Sequence, residues 1–211
     1  MRMLSSSKDN IYYILRDRIA NVYYKPGDHL YEKILAVEFR VSRTPIREAI
    51  IRLKQDNLVV IVPRGGARVS DINLNDFQKL IEIRLILERG VAQLAVRNAT
   101  QSHIDRLIAL ADKMKKVQPD DIKGWVCCDL EFHQIIAEAS ENPFLIEALS
   151  TIRLQFTRIQ RIVSTRTDNV PSEIQRAAII LENRDSDEMI KLLVKHVENF
   201  VAKVKGCFRI E

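Results

Sequence analysis

Residues 41–49 read Val-Ser-Arg-Thr-Pro-Ile-Arg-Glu-Ala, and this stretch decides how the first third of the chain is built. Pro45 has a fixed φ and no N–H, so it belongs in the first turn of a helix, most naturally behind a Thr44 cap. From there to about Asn57, Ile46, Ala49, Ile50 and Leu53 share one helical face, and Arg43, Arg47 and Lys54 share another. One face packs and the other reaches out. Upstream, Tyr31 to Phe39 predicts a short helix with Ile34, Leu35 and Phe39 inward. Lys25-Pro26-Gly27-Asp28 separates it from a first helix over about Asn10 to Tyr23, where Ile11, Ile14, Leu15, Ile19 and Val22 recur at helical spacing. Downstream, Leu58 to Val62 is a β-branched strand, Pro63-Arg64-Gly65-Gly66 a turn, and Ala67 to Val69 a returning strand. Three helices and a hairpin make a winged helix-turn-helix over residues 10–70, with residues 1–9 expected as a flexible arm.

After a linker at residues 71–74 the pattern is helical throughout: about Asn75 to Asn98, Ser102 to Val117, Asp120 to Ser140, Pro143 to Thr165, Pro171 to Asn183 and Ser186 to Lys205. The separators Asn98-Ala-Thr-Gln-Ser, Gln118-Pro-Asp-Asp and Glu141-Asn-Pro carry helix-start residues. The expected fold class is therefore mainly α, a winged helix-turn-helix followed by an all-α six-helix bundle over residues 75–211. A chain of 211 residues with 46% hydrophobic and 29% charged residues suits two globular domains. No apolar run approaches a membrane span, and the polar N-terminus does not read as a secretory signal. The odd set Cys127, Cys128 and Cys207 lacks framework or zinc-ribbon spacing and reads as buried structural thiols of a cytoplasmic protein.

Charge divides unevenly along the chain. Residues 1–70 hold 13 Lys+Arg against 7 Asp+Glu, and residues 71–211 hold 20 against 21, so the net +5 resides in the first third. That is the balance a phosphate-contacting module needs. An α-helix fits the major groove, and Arg43 and Arg47, one turn apart, can each fork onto guanine O6 and N7. Thr44 and the free N–H groups of the helix start suit phosphate oxygens, as do Lys33 and Arg40 on or after the second helix. A Gly65-Gly66 wing tip permits close approach to a nucleic-acid backbone.

Leu15-Arg16, Lys25-Pro26-Gly27, Leu35-Ala36, the Val41 to Ala49 run, Leu53 and the Pro63 to Val69 wing together resemble the GntR family of bacterial transcription regulators. The resemblance runs through nearly all of residues 10–70. One departure is Arg40, which stands where the family usually has Gly. A helix end often needs a left-handed residue, so Arg40 is expected to accept about 1 kcal/mol of backbone strain.

In the first helix of the second domain Phe77, Leu80, Ile81, Arg84, Leu87, Glu88 and Val91 share one side, which sets Arg84 in an apolar stripe. A buried guanidinium needs a carboxylate, either from the protein, with Glu88 one turn on, or from a ligand. Asp129 and His133 stand four apart on one helical face, the spacing both of an ordinary hydrogen-bonded pair and of a two-ligand metal half-site. His196, in the last helix, is placed to complete three. His29 and His103 have no such companions.

The second domain resembles the FadR-type ligand-binding domain attached to many GntR proteins, in its six-helix VanR-like form. The residues that carry this are Arg84-x-x-x-Glu88 with Ala92 and Ala95, Asp129-x-x-Phe132-His133 with Asn142-Pro-Phe-Leu145, and Asp185 with His196. The resemblance implies a homodimer that reads a pseudo-palindromic operator in duplex DNA and binds a small carboxylate effector through Arg84, Asp129, His133 and His196. It is expected to be a repressor, not an enzyme. It also implies a divalent transition metal such as zinc, nickel or manganese on Asp129, His133 and His196. The family's remaining His ligand would follow Glu173, where this chain has Ile174, which cannot ligate. Two other readings stand beside this one: a metal-dependent enzyme with an accessory DNA-binding domain, and a DNA-binding protein blind to effectors.

Overall fold

The computed structural model describes residues 7–63, 66–163 and 169–207. The chain divides into two compact units, Met1–Leu74 and Asn75–Glu211.

The first unit runs α1 (Ser7–Ala20), β1 (His29–Leu30), α2 (Glu32–Phe39), α3 (Arg43–Gln55), β2 (Val59–Ile61) and β3 (Ala67–Val69). Leu15 and Ile19 of α1, Ile46 and Leu53 of α3, Leu30 and Leu58 are all fully buried and form its core. Burial of this kind contributes roughly 1.5–3 kcal/mol for each large aliphatic side chain. The strands form an antiparallel sheet of order β1-β3-β2, with Leu30 opposite Ala67 and Val60 opposite Arg68. The two-residue strand β1 is an element the sequence pattern did not announce.

Several local expectations are corrected. Residues 7–9, read as part of an arm, are helical, and α1 stops at Ala20, with Val22 left-handed at φ 58° beyond it. Ile34, expected inward, is 61% exposed on α2. The cap of α3 is Ser42 and not Thr44, so Arg43 opens the helix and Pro45 is its third residue, where its missing N–H is still one of the unpaired groups of a first turn. Arg40 does end α2 in the left-handed region, at φ 54° and ψ 46°. Of the three cysteines, Cys128 is buried whereas Cys127 and Cys207 are exposed.

The second unit holds α4 (Leu74–Asn98, which begins in the last residue of the first unit), α5 (Gln101–Lys115), α6 (Ile122–Ala139), α7 (Pro143–Ile162), α8 (Val170–Asn183) and α9 (Ser186–Cys207). The separators act as the sequence suggested. Asp121 accepts the N–H of Gly124 at 2.8 Å to open α6, and Asn142 accepts that of Leu145 at 3.1 Å, with Pro143 behind it, to open α7. A shared core joins Val91, Ala95, Leu107, Phe132, Ile174 and Leu193 from five of the helices. Residues 164–165, expected to finish α7, lie outside the described residues.

Candidate functional site

In the first unit, α3 carries Arg43, Thr44 and Arg47 on its exposed side while Ile46, Ala49, Ile50 and Leu53 are buried beneath them. Lys33 and Arg40 are exposed as well. Arg47 is not a free side chain: its Nε donates to both oxygens of Glu32, at 2.9 and 2.8 Å. Glu32 is the first residue of α2, and its side chain is 14% exposed against 62% for Arg47. The carboxylate therefore holds the Nε end of the guanidinium, while the Arg47 side chain as a whole stays largely exposed. Arg43 makes no ion pair among the described residues. Gly66 is buried with φ +136°, and a Cβ there would lie 2.3 Å from the carbonyl oxygen of Leu30, so the β1–β3 contact itself demands glycine. Gly65 lies outside the described residues.

In the second unit, Arg84 and Glu88 (α4), Asp129 and His133 (α6), Arg153 (α7) and His196 (α9) are buried side by side. Burying so many charges is unfavourable unless they meet each other. Glu88, fully buried, sits between two guanidiniums, with Oε1 3.4 Å from Arg84 Nε and 3.6 Å from Arg153 Nη2. Arg84 Nη2 lies 2.9 Å from His133 Nε2, and the guanidinium stacks over Phe156, 4.3 Å from the ring centroid. Arg84 thus meets Glu88, as one sequence reading had it, while also lining the cavity as the other required.

The two histidines are held in opposite charge states. Burial, and after it the charges of Arg84, Arg153 and His196, hold the His133 imidazole well below its ordinary range, so it is neutral. Burial also opposes a charge on His196. There the pull of the Asp129 and Glu173 carboxylates, one 3.1 Å from Nε2 and the other hydrogen-bonded to Nδ1, overcomes that opposition and raises it to about 9. Without a metal, His196 is therefore an imidazolium between two carboxylates, its Nδ1 2.6 Å from Glu173 Oε2 and its Nε2 3.1 Å from Asp129 Oδ1.

The expected metal ligands do converge: one ligand atom each from Asp129, His133 and His196 lies within 4.8 Å of the others. Bonds of about 2.0–2.2 Å at right angles put neighbouring ligand atoms about 3 Å apart, which is the separation of His196 Nε2 and Asp129 Oδ1. That pair lacks the alignment of a hydrogen bond, and Asp129 Oδ1 is left a buried acceptor without a partner. His196 has the Glu173 carboxylate hydrogen-bonded to its Nδ1, a pairing that orients Nε2 toward an ion. His133 Nδ1 has Glu88 at 3.6 Å, too far for a hydrogen bond, and is left a buried nitrogen without a partner. The residues fit a three-ligand divalent site on two conditions, that Arg84 Nη2 yields the lone pair of His133 Nε2 and that His196 gives up its Nε2 proton to leave a lone pair for the ion. Ile174 is fully buried in the core and contributes nothing to it. Glu173, Arg153, Thr157 and Gln160 belong to this neighbourhood and were not singled out from the sequence.

Two family models match. That of the bacterial regulatory proteins of the gntR family covers residues 7–69, and that of the FCD domain covers residues 79–199. The chain belongs to the gntR-family regulators that carry an FCD domain, and it is a transcription regulator with a DNA-binding head rather than an enzyme. It is 26% identical over 200 residues to the HTH-type transcriptional repressor RspR of Escherichia coli, spanning 92% of this chain and 87% of that one. It is 33% identical over 143 residues to the HTH-type transcriptional regulator LutR of Bacillus subtilis, spanning 60% and 65%. Among solved structures, E. coli McbR/YncC superposes with a TM-score of 0.82 at 21% identity, over 98% of this chain and all of that one. A putative GntR regulator from Rhodococcus gives 0.77 at 23%, over 97% and 100%. At these identities the structures establish the fold. Among the described residues no helix is long and apolar enough to cross a membrane.

Proposed function

We propose that this regulator acts as a cytoplasmic homodimer and represses transcription. In this reading each winged helix-turn-helix, residues 10–70, reads one half of a pseudo-palindromic operator. Arg43 and Arg47 take base edges, and Lys33, Arg40, Thr44 and the wing turn at Gly65 approach phosphates, with the buried Gly66 keeping its place for the β1–β3 contact. A small carboxylate enters the helical domain, residues 75–211, beside Arg84, Asp129, His133 and His196, and changes operator affinity. The observation that carries this is the cavity lined by those four residues, inside a chain whose other unit is a gntR-family head. A repressor among the relatives, RspR, supports the direction of control.

Asp129, His133 and His196 would hold a divalent ion, with Glu88 and Glu173 behind the imidazoles. When bound, such an ion supplies a fixed double positive charge for a carboxylate. A metal-free site is the second reading, favoured by the contact between Arg84 and His133 Nε2. Plasma mass spectrometry of untagged protein purified without chelators, beside an Asp129→Ala/His133→Ala control, separates the two. Stoichiometric metal lost in the control supports the ion. Protein still empty after incubation with zinc, nickel and manganese removes it. Operator titrations of the full chain with a carboxylate library test the rest, and operator affinity that no member changes would leave an effector-blind DNA-binding protein.

A further inference from the structure

The cavity has a wall that neither the sequence motifs nor the metal triad accounts for. Arg153, Thr157 and Gln160 stand at i, i+4 and i+7 along α7 and all three face it. Arg153 is 93% buried, since only 7% of its surface is exposed. Its Nη1 donates to the carbonyl of His133 at 2.9 Å, whereas Nε and Nη2 have no hydrogen-bond partner. Those two orphan nitrogens are not a random pair. Nε–H and one N–H of Nη2 point in parallel from the same edge of a guanidinium, and that edge is the fork that accepts both oxygens of a carboxylate.

The protein's own carboxylate does not fill the fork. Glu88 is shared with Arg84 and approaches Arg153 no closer than 3.6 Å, which is an ion-pair separation and not a hydrogen bond. Nor does Glu88 line the cavity. Two guanidiniums thus share the single carboxylate of Glu88, which accepts a hydrogen bond from Arg84 and none from Arg153. Beside the fork, Thr157 spends its hydroxyl proton on the carbonyl of Arg153 at 2.9 Å, so its oxygen can only accept from a ligand. Gln160, 4% exposed, has no partner among the described residues and offers both an acceptor and a donor. The space is small, about 20 Å³ for the centres of water-sized atoms, so it suits a ligand of only a few heavy atoms.

We propose that Arg153 is the carboxylate anchor of the effector site, binding a short-chain acid through its Nε/Nη2 edge while Thr157 and Gln160 hold a hydroxyl or similar hydrogen-bonding group on that acid. This rests on the reading of the helical domain as an effector domain and adds to it a ligand head group and the residue that grips it. The fork is separate from the metal ligands, so a carboxylate is held by Arg153 whether or not an ion sits on Asp129, His133 and His196.

The probes are glycolate, propionate, which puts a methyl where glycolate has a hydroxyl, and glycolamide, which removes the charge. Each is titrated by calorimetry into the full-length protein, chelator-treated and zinc-treated in parallel, and into Arg153→Lys, which keeps the charge but loses the fork. Melting temperature and ligand-free operator binding establish that the variant is folded. Glycolate should bind wild-type protein at least tenfold more tightly than propionate or glycolamide, and Arg153→Lys should weaken it at least tenfold with and without zinc. In the wild-type protein the Arg153 Nε–Hε resonance should also shift as glycolate is added, a readout that needs no variant. Glycolate bound equally by Arg153→Lys, or bound with the Nε–Hε signal unmoved, overturns the anchor and leaves the effector reading standing. If none of the probes binds wild-type protein in either state, the anchor for a short-chain acid falls, and the effector reading is decided by the operator titrations with the wider library.

Discussion

At the scale of single residues, α3, the helix proposed to read DNA, depends on a side chain it does not contain. Arg47 is tied through Nε to Glu32 of α2. An exposed ion pair of this kind adds little to stability, but it restricts a side chain that otherwise has many rotamers, and a pre-oriented guanidinium discriminates between bases better than a free one. Glu32→Gln should therefore leave the melting temperature within about a degree. If Arg47 reads a base pair as proposed, preference at that position should fall by roughly 1–3 kcal/mol. Competition between operator variants in a gel-shift assay checks this, and an unchanged preference would free Arg47 from any dependence on Glu32. Arg40 raises the opposite balance, a strained backbone kept where glycine would be at ease. Arg40→Gly should stabilise the first unit by about 1 kcal/mol, or about 4–8 °C for a unit of this size. If Arg40 touches a phosphate, the slope of log K against log salt should also become shallower by about 0.9 for each phosphate left without its cation. A stabilised protein with an unaltered slope would confine Arg40 to its structural role.

At the scale of elements, what the sequence discloses is periodicity. The four buried positions of α3 were legible because an apolar face repeats every 3.6 residues, and so were the long helices of the second unit with their Asp121 and Asn142 starts. Strand β1 was not, since two residues cannot display an alternation. Neither was the importance of α7: Gln155, Phe156, Thr157, Arg158, Ile159 and Gln160 are six consecutive buried residues, so that stretch of helix is enclosed on all sides although four of the six are polar. Polar burial leaves no mark on a periodicity plot: Asp129, His133 and His196 were anticipated from the four-residue spacing and the family resemblance, and Arg153, which neither carries, was not. Helix α8 makes the same point within one step of sequence. Ile174 faces the core and Glu173, rotated by about 100°, meets His196 Nδ1. The helix thus supplies an orienting carboxylate where a ligand had been sought. Glu173→Gln should weaken zinc binding by roughly 10–100-fold, measured against a competing chelating dye, with the fold retained by circular dichroism. Zinc affinity unaffected by the change would show that His196 needs no support to ligate.

For the whole molecule the two units divide the work by charge and by core. Through Leu74 there are 13 Lys+Arg against 8 Asp+Glu, and beyond it 20 against 20, so the positive field belongs entirely to the unit with the DNA-reading helix. Each unit has its own buried core. A ligand in the second can therefore influence DNA binding by the first only if it binds two states of the molecule unequally, since equal affinity shifts nothing however tight it is. Such coupling is reciprocal. If occupation of the site changes operator affinity by the 5–150-fold that about 1–3 kcal/mol produces, operator DNA must change the affinity for the occupant by the same factor in the same direction. Zinc and glycolate affinities measured on the full-length protein, free and saturated with operator, provide the check. For a repressor released by its ligand, both should be weaker on the operator. Identical affinities in the two states would mean that the helical unit holds its ligand without reporting it, and the DNA-binding head would then be governed by protein concentration alone.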